Sequence, residues 1–491
     1  MKGRPLSDEL CKWIGKIEGI AAGYGLDFFP TIFEMVNYEQ MNMLASYEGF
    51  PIRYRHWRWG MEYERLSKSY AWGLHKIYEL VINTDPCYAY LLSSNSDLDH
   101  KLVIAHVYGH CDFFKNNAWF SHTDRKMLDT MANNAAKITR IAERHGHEKV
   151  EAFVDVCLSV DNLIDYHSPY INRRSTPDDE QLLEIQKLPA RNYMDRYINP
   201  QEEIERQKEA FAKRQEELKS RFPLEPEKDV MLFMLENAPL EKWQRQVLTI
   251  VRSEAYYFVP QRMTKIMNEG WASYWHSTMM TQDICEDHEI IDFACTHSGT
   301  MAMSSTSFNP YKIGIELYRD IEERWNKGQF GLEYERCESM EEKQNWDKQL
   351  GLGREKIFQV RKIYNDVTFL DEFLTPEFCE RQKFFTFGYD RRKDSWEIKS
   401  KEFETIKTQL LGQLTNFGQP AIYVEDGNYK NRGELMLFHK HDGKDLKADY
   451  AEATLGNLVK LWKRPVHIRT QAEDKTLVWT HNGEVFEEGS E

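Results

Sequence analysis

The sequence predicts a mainly α-helical protein, in which a multi-helix body is followed by a small C-terminal α+β module. In the first 410 residues, apolar side chains recur mostly every three or four positions, the period of an amphipathic helix. After about residue 416, apolar and polar side chains alternate, as they do in half-buried strands. We therefore expect two domains, a helical body over residues 1–410 and an α+β module over residues 416–491.

The first helix of the body, predicted over residues 7–24, shows the helical period most clearly. Its apolar side chains, among them Leu10, Ile14 and Ile17, share one face. The same period predicts further helices over residues 61–81, 98–117, 124–165, 230–280 and 313–325. Residues 201–221 are so highly charged that we expect an exposed helix with ion pairs between side chains four positions apart. Prolines in residues 168–200 indicate an irregular surface segment instead.

The C-terminal module is predicted to have the order ββαββ. Asp-Gly and Asn-Gly pairs supply turns near the strand ends. A helical period separates the second strand from the third. The predicted strands cover residues 421–426, 433–441, 465–471 and 475–480, and the predicted helix covers residues 448–462.

Composition narrows the class of protein. The 491 residues carry a formal net charge of −15, with 41% hydrophobic and 13% aromatic residues. Such a chain can bury a sizeable core, and its acidic balance argues against nucleic acid as the main partner. The sequence has neither an apolar run near the roughly 18 residues of a membrane span nor a secretory leader at its start. We therefore expect a cytoplasmic protein without a membrane span.

Two histidines in one predicted helix provide the first candidate metal ligands. His106 and His110 are four residues apart, so on a helix their imidazoles lie on one face, one turn apart. This spacing allows two imidazole nitrogens to reach one metal ion. A pair of structural histidines would show the same spacing, and both interpretations stay open at this point.

A second stretch adds a carboxylate. Glu269 and His276 are seven residues apart, so they also share a helical face on a segment that is otherwise apolar. Buried without partners, both groups would be costly. His106, His110 and Glu269 together form the His2Glu set of catalytic zinc sites, which leave one coordination position open. His276 is a candidate fourth ligand or a donor to the developing oxyanion of a substrate.

The residue beside the first histidine limits the enzymatic interpretation. In H-E-x-x-H peptidases a glutamate follows the first histidine and acts as general base, but here that residue is Val107. A hydrolase would therefore need its base from elsewhere. The carboxylate candidates are Asp112, Glu64 and Asp155, and Tyr108 would offer a hydroxyl. Each of these side chains is also a plausible structural residue.

Several long motifs resemble the SpoVR family, named after stage V sporulation protein R. The matching segments are AHVYGHCDFFKNN (105–117), YYFVPQRMTKIMNEGWASYWH (256–276), NPYKIGIELYRDIEERW (309–325), KIYNDVTFLDEFLTPEFCE (362–380), HWRWGMEYERL (56–66) and VEAFVDVCLSVDNLIDYHSPY (150–170). The resemblance implies a cytoplasmic bacterial protein linked to spore cortex formation. It further implies a partnership with a serine protein kinase and a protein with a von Willebrand-like domain. The segment EGWASYWH is also similar to EGWALY of some gluzincin-like peptidases, which implies a ligand role for Glu269.

Three functional hypotheses remain open from the sequence. The first is a zinc-dependent hydrolase of an amide or peptide bond, with His106, His110 and Glu269 as ligands. The second is a regulator or assembly factor without enzymatic activity, which Val107 and the charged segment 201–221 favour. The third is a non-haem iron protein, because two histidines and one carboxylate also form a facial triad.

Overall fold

The computed structural model describes residues 5–71, 79–171, 200–201, 205–206, 222–302, 308–390, 393–472 and 475–490. Most of the predicted helix over residues 201–221 and most of the predicted surface segment over residues 168–200 lie outside these ranges. The chain divides into two compact units: Met1–Arg144 with Tyr256–Gln419, and His145–Ala255 with Pro420–Glu491. The predicted domain boundary between residues 410 and 416 stays a prediction.

Helices dominate the described residues, which confirms the predicted fold class. In chain order, the α-helices are α1 Asp8–Gly23, α2 Tyr38–Ser46, α3 Trp57–Ala71, α4 Asp97–Asn116, α5 Met127–His145, α6 His147–Ser159, α7 Val230–Asn237, α8 Lys242–Met263, α9 Lys265–Met279, α10 Ile290–Thr300, α11 Pro310–Lys327, α12 Gly331–Glu335, α13 Met340–Gln344, α14 Gly353–Ile363, α15 Asp366–Phe373, α16 Pro376–Arg381, α17 Phe403–Leu414 and α18 Ala448–Trp462. Within the described ranges, no helix has the length and apolar character needed to cross a membrane.

Among the described residues, the strands form three sheets. They are β1 Thr31–Val36, β2 Glu79–Ile82, β3 Cys87–Leu92, β4 Thr386–Asp390, β5 Ser395–Ser400, β6 Ala421–Tyr429, β7 Glu434–Lys440, β8 Val466–Ala472, β9 Lys475–His481 and β10 Phe486–Ser490. The first sheet has the order β1-β3-β2, and β4 pairs with β5 in a hairpin. The C-terminal sheet has the order β10-β9-β8-β7-β6, with β7 and β8 parallel and its other neighbours antiparallel.

The C-terminal module follows the predicted order and adds one strand. Two strands, β6 and β7, precede α18, and β8 and β9 follow it. The helix packs against β8 and β9, and its apolar side chains, such as Leu458 and Leu461, are buried. The additional strand β10 pairs with β9. Mainly α with a small C-terminal α+β module is therefore the correct description of the fold.

Three predicted helical stretches were wrong in extent. The stretch predicted over residues 230–280 is divided into α7, α8 and α9. The helix predicted over residues 61–81 is α3, which ends at Ala71, and Glu79–Ile82 is strand β2 paired antiparallel with β3. Sheet pairing and burial of Ile82 beside Leu92 override the helical period there. The helix predicted over residues 124–165 is divided into α5 and α6 at Gly146, whose φ of +94° lies outside the helical region.

Helix α9 lies at the centre of the core of the first unit, between α4 and α11. Thr264 precedes α9 without a capping hydrogen bond from its side chain. The carboxylate of Asp366, at the start of α15, instead accepts the backbone N–H groups of Ile266 (2.8 Å) and Met267 (2.9 Å). A distant residue thus satisfies the free donors at the N-terminus of α9.

Glycines allow the three central helices to approach closely. A Cβ atom on Gly270 of α9 would overlap the backbone of Gly314 on α11. On the other side of α9, a Cβ atom on Gly109 of α4 would lie 2.7 Å from the Cα atom of Ala272. Because bulkier residues cannot occupy these positions without separating the helices, the glycines determine how α4, α9 and α11 pack.

We expect Gly270→Ala to lower the free energy of unfolding by about 1–3 kcal/mol or more, because the added methyl group must push α9 from α11. The matched control is Gly15→Ala on α1, where a Cβ atom would meet no atom within 4 Å. That substitution should stabilise the protein by about 0.5–1 kcal/mol through helix propensity. Urea unfolding monitored by circular dichroism measures both. Equal stability of the two variants would contradict the close approach of α9 and α11.

Candidate metal centre

The structure brings together the three predicted metal ligands. His106 and His110 lie one turn apart on α4 and face Glu269 of α9, and all three side chains are buried. The Nε2 atom of His106 is 3.4 Å from Oε2 of Glu269, and the Nε2 atom of His110 is 3.5 Å from the same oxygen. The three ligand atoms all lie within 4.8 Å of one another. Close packing of α4 on α9 therefore converts two sequence motifs into one cluster.

The outer nitrogens of both imidazoles are held by residues of α9. Nδ1 of His110 is 2.9 Å from Oδ1 of Asn268, and Nδ1 of His106 is 2.8 Å from Nδ1 of His276. The amide oxygen of Asn268 only accepts, so Nδ1 of His110 carries the proton and Nε2 presents a lone pair. Burial lowers the pKa of His110 to about 4. This imidazole is therefore neutral near pH 7, which is the state that binds a metal.

The two oxygens of Glu269 have different surroundings. Oε1 accepts a hydrogen bond of 2.9 Å from Nζ of Lys265, one turn earlier on α9. Oε2 is buried and has no hydrogen-bond partner among the described residues. Burial by itself raises the pKa of Glu269, but His106, His110 and the Lys265 ammonium outweigh that effect and hold the pKa well below its usual range. The carboxylate is therefore ionised, with its free oxygen facing the two histidines.

The geometry of this cluster fits a metal ion. The lone pair of His110 and the unpartnered carboxylate oxygen of Glu269 face each other without a proton between them, which is unfavourable unless a cation lies there. Ligand atoms bound at about 2.0–2.1 Å from a tetrahedral ion lie about 3.3–3.4 Å from one another. The separations of 3.4 and 3.5 Å from Glu269 to His106 and His110 match that spacing. The three residues have both the donor types and the spacing of a metal site.

His276, predicted as a fourth ligand or an oxyanion donor, lies beside this cluster. Its Nδ1 atom contacts His106, and its Nε2 atom is 3.1 Å from Nδ1 of His297 on α10. Both ring nitrogens of His276 therefore contact other histidines. Burial and the neighbouring His106 and His297 lower the pKa of His276 well below its usual value, so the ring is neutral.

Tyr108, a predicted catalytic hydroxyl, packs in the core. Its ring contacts those of Phe28, at 4.6 Å between centroids, and Phe33, at 5.7 Å. On α4 it is two positions from each ligand histidine, so its side chain lies on a different face of the helix. Burial raises the pKa of this hydroxyl far above its usual value.

Asp112, the other predicted catalytic residue on α4, is completely buried in a polar network. It accepts hydrogen bonds from Nη1 of Arg361 at 2.8 and 2.9 Å, from Nε1 of Trp271 at 2.7 Å and from the backbone N–H of Asp27 at 2.8 Å. Burial raises the pKa of Asp112 to about 6, against the opposing effect of Arg361. These contacts join α4, α9, α14 and the segment between α1 and β1, as the contacts of a structural residue do.

The remaining predicted bases are Glu64 and Asp155, and neither lies on α4 or α9. Glu64 lies exposed on α3 and pairs with Lys68 at 2.7 Å. Asp155 lies on α6, which belongs to the second unit. Val107, in the position of the peptidase glutamate, is buried.

Sequence reasoning missed three polar residues around the cluster. Lys265 and Asn268 lie one helical turn and one residue before Glu269, where nothing in the sequence distinguishes them from other polar residues of α9. His297 lies on another helix, outside the motifs considered, and only the packing of α10 brings it to His276. The rule that ligand histidines need a partner for their second nitrogen predicts that such residues exist, but not which ones they are.

We expect Asp112→Asn to lower the free energy of unfolding by about 3–5 kcal/mol, because it leaves the buried Arg361 guanidinium without its charge partner. Glu64→Gln is the matched control, since its exposed ion pair with Lys68 is screened by solvent and should change the stability little. Urea unfolding and metal content would be measured for both. If Asp112→Asn unfolds like the unmodified protein but loses metal or activity, the carboxylate is functional and not structural.

Comparisons with known proteins identify the same family for nearly the whole chain. The profile described as "SpoVR like protein" matches residues 6–419, and that described as "SpoVR-like C-terminal domain" matches residues 420–473. The border between the two profiles coincides with the border between the structural units at Gln419.

One curated relative has a similar length. It is "Uncharacterized protein YcgB" of Escherichia coli (strain K12), which is 31% identical over 502 residues, covering 96% of this chain and 93% of that protein. No solved structure matches the chain. Since both profiles and this relative cover most of the chain, the protein belongs to the SpoVR family.

Proposed function

We propose that this SpoVR-family protein binds one divalent metal ion, zinc in the first instance, through His106, His110 and Glu269, and hydrolyses an amide or peptide bond there. The observation that carries the proposal is the convergence of the His110 lone pair and the free oxygen of Glu269 on one point beside His106. Two histidines and one glutamate with an open position form the ligand set of catalytic zinc sites.

The chain contributes a prepared set of ligands. When bound, zinc supplies Lewis-acid activation and a water whose pKa is near 7. Asn268 orients His110, and Lys265 holds one oxygen of Glu269 so that the other faces inward. Because these partners are already in place, little reorganisation accompanies metal binding.

A hydrolytic mechanism at this site needs a proton acceptor other than residue 107. Val107 cannot take a proton, and the contacts of Asp112 and Tyr108 are those of core residues. The catalytic roles of Asp112 and Tyr108 therefore stay predictions. His276 is the predicted catalytic residue that contacts a ligand, and its role in stabilising a transition state also stays a prediction.

A non-haem iron centre is the second candidate function. Two histidines and a carboxylate also form the facial triad of iron(II) oxygenases, which need no glutamate beside the first histidine. The buried Val107 favours this alternative over a peptidase mechanism. A regulatory role without catalysis would use the same cluster as a structural metal site.

The cellular role that we propose follows from family membership. The SpoVR family points to sporulation. We extend this to formation of the spore cortex, to a cytoplasmic location, and to a partnership with a serine protein kinase and a protein with a von Willebrand-like domain. A copurification experiment with the kinase would test that partnership independently of the metal site.

Metal content tests the proposal first. We expect about one equivalent of zinc or iron in the purified protein and its loss from a His106→Ala/His110→Ala variant, because two of three ligands are removed. The matched control is His288→Ala, which removes an exposed histidine from the segment before α10. Elemental analysis measures the metal, and far-UV circular dichroism confirms the fold. Absence of metal from the unmodified protein after reconstitution with zinc and with iron(II) would overturn the proposed site.

Substrate screening then separates hydrolysis from the alternatives. With zinc as the native metal, we expect cleavage of an amide or peptide bond that falls at least about 100-fold in Glu269→Gln, because the ligand set loses its charge. Cleavage assays on peptide libraries and on peptidoglycan-precursor peptides measure this. Equal rates for the unmodified and Glu269→Gln proteins would assign the cleavage to a contaminant. Iron with oxygen-dependent turnover would instead support the second candidate function.

A further inference from the structure

Three buried or half-buried histidines are linked by hydrogen bonds into a row that begins at the ligand His106 and leads away from the other two candidate ligands. Nδ1 of His106 contacts Nδ1 of His276 at 2.8 Å, and Nε2 of His276 contacts Nδ1 of His297 at 3.1 Å. His106 is on α4, His276 on α9 and His297 on α10, so the row crosses three helices of the first unit.

The hydrogen bonds of this row must all run in the same direction. A neutral imidazole has one nitrogen that donates and one that accepts. If Nε2 of His106 binds a metal, its Nδ1 carries the proton and donates to His276. Nδ1 of His276 then accepts, so its Nε2 carries the proton and donates to His297. Metal binding by His106 thus determines the tautomers of His106 and His276, and it makes Nδ1 of His297 an acceptor.

The second ligand histidine shows the same arrangement in a shorter form. His110 donates from Nδ1 to the amide oxygen of Asn268, which has no alternative tautomer. His276 has the equivalent task for His106, but an imidazole accepts at Nδ1 only when its other nitrogen donates. His297 provides the acceptor that makes this tautomer of His276 favourable.

We infer that His276 and His297 form a positioning relay, which holds His106 with Nδ1 protonated and Nε2 directed at the metal ion. This inference rests on the proposed metal site and adds a residue of α10, His297, that contacts none of the three ligands through the bonds described above. The relay makes metal affinity depend on the hydrogen bond between His276 and His297, although neither of these residues binds the ion. This positioning role acts through His106 and is separate from the predicted role of His276 in stabilising a transition state.

Packing around the relay keeps His297 in place. The Phe293 ring, one turn earlier on α10, stacks on the His297 ring with 5.6 Å between centroids and meets the His276 ring edge-on at 6.4 Å. Phe293 is the buried residue of α10, whose other side chains are exposed or half-buried. Phe293 therefore packs against both His276 and His297.

In the absence of metal the hydrogen bonds that link the three histidines are able to run in the opposite direction. Nε2 of His106 would then carry the proton and face the free oxygen of Glu269, Nδ1 of His276 would donate to His106, and Nδ1 of His297 would donate to His276. The hydrogen bonds keep their partners and only their direction changes. The relay therefore predicts that His106 and His276 change tautomer when metal binds. If the two outer histidines only filled space in the core, no such change would occur.

Substitutions of His276 test the relay through zinc affinity. His276→Leu removes the acceptor for His106, and we expect zinc to bind 10- to 100-fold more weakly, as for other residues that orient metal ligands. His276→Asn places an amide oxygen where Nδ1 stands and copies the Asn268 arrangement, so we expect affinity within about threefold of the unmodified protein. Competition with a zinc-chelating dye measures affinity, and thermal unfolding of the metal-free variants checks the fold.

Substitutions of His297 test the outer end of the relay. We expect His297→Leu to weaken zinc binding by about tenfold and His297→Asn to restore most of it, because the amide oxygen again accepts from Nε2 of His276. His288→Ala, in the segment before α10, is the control and should leave affinity unchanged. Residue 297 is less buried than residue 276. Its variants therefore still test the relay if His276→Leu fails to fold.

Nitrogen-15 NMR of histidine-labelled protein reads the tautomers directly. In the zinc-loaded protein we expect His106 to carry its proton on Nδ1 and His276 on Nε2. Protonation of His276 on Nδ1 in that state would overturn the relay, as would zinc affinity unchanged in both His276→Leu and His297→Leu. Failure of the unmodified protein to bind zinc is a different result, because it removes the proposed metal site itself.

Discussion

Close packing of α4, α9 and α11 is the constraint on which the candidate centre depends. Gly270 and Gly314 allow α9 and α11 to meet at backbone distance, and Gly109 allows α4 to lie against Ala272. The two ligand histidines on α4 flank Gly109, and Glu269 precedes Gly270 directly. The smallest residues of these helices therefore stand beside the ligands, and the contact that holds the helices together also determines the separation of the ligand atoms.

Polar interactions inside the core then fix the orientation of α9. The carboxylate of Asp366 binds the N-terminus of the helix, and Trp271 reaches the buried pair of Asp112 and Arg361. Such buried groups are costly to separate, so they resist rotation of α9 about its axis. Because Glu269 and His276 share a face of α9 with the residues that meet α4, this resistance keeps both directed at the cluster.

Helical periodicity and motif spacing predicted the fold class and the three candidate ligands. The spacing of His106 and His110 determines a shared face whatever surrounds the helix, which is why a local rule was sufficient. Periodicity was misleading where another effect prevailed. It extended α3 into β2, whose apolar residues serve a sheet, and it passed through Gly146, whose backbone conformation divides α5 from α6. It also could not reveal that Asn268, Lys265 and His297 surround the ligands.

What the sequence determined by itself was local: the helical character of the body, the alternating strands of the C-terminal module, and which side chains share a helical face. Tertiary structure decided whether α4 meets α9, which oxygen of Glu269 is left free, and that His297 continues the contacts of His276. Those properties depend on distances between residues that are far apart in the sequence. His106 and His276, for example, are more than 150 positions apart. Periodicity contains no information about such distances, because it describes only the faces of single elements and not the way in which they pack.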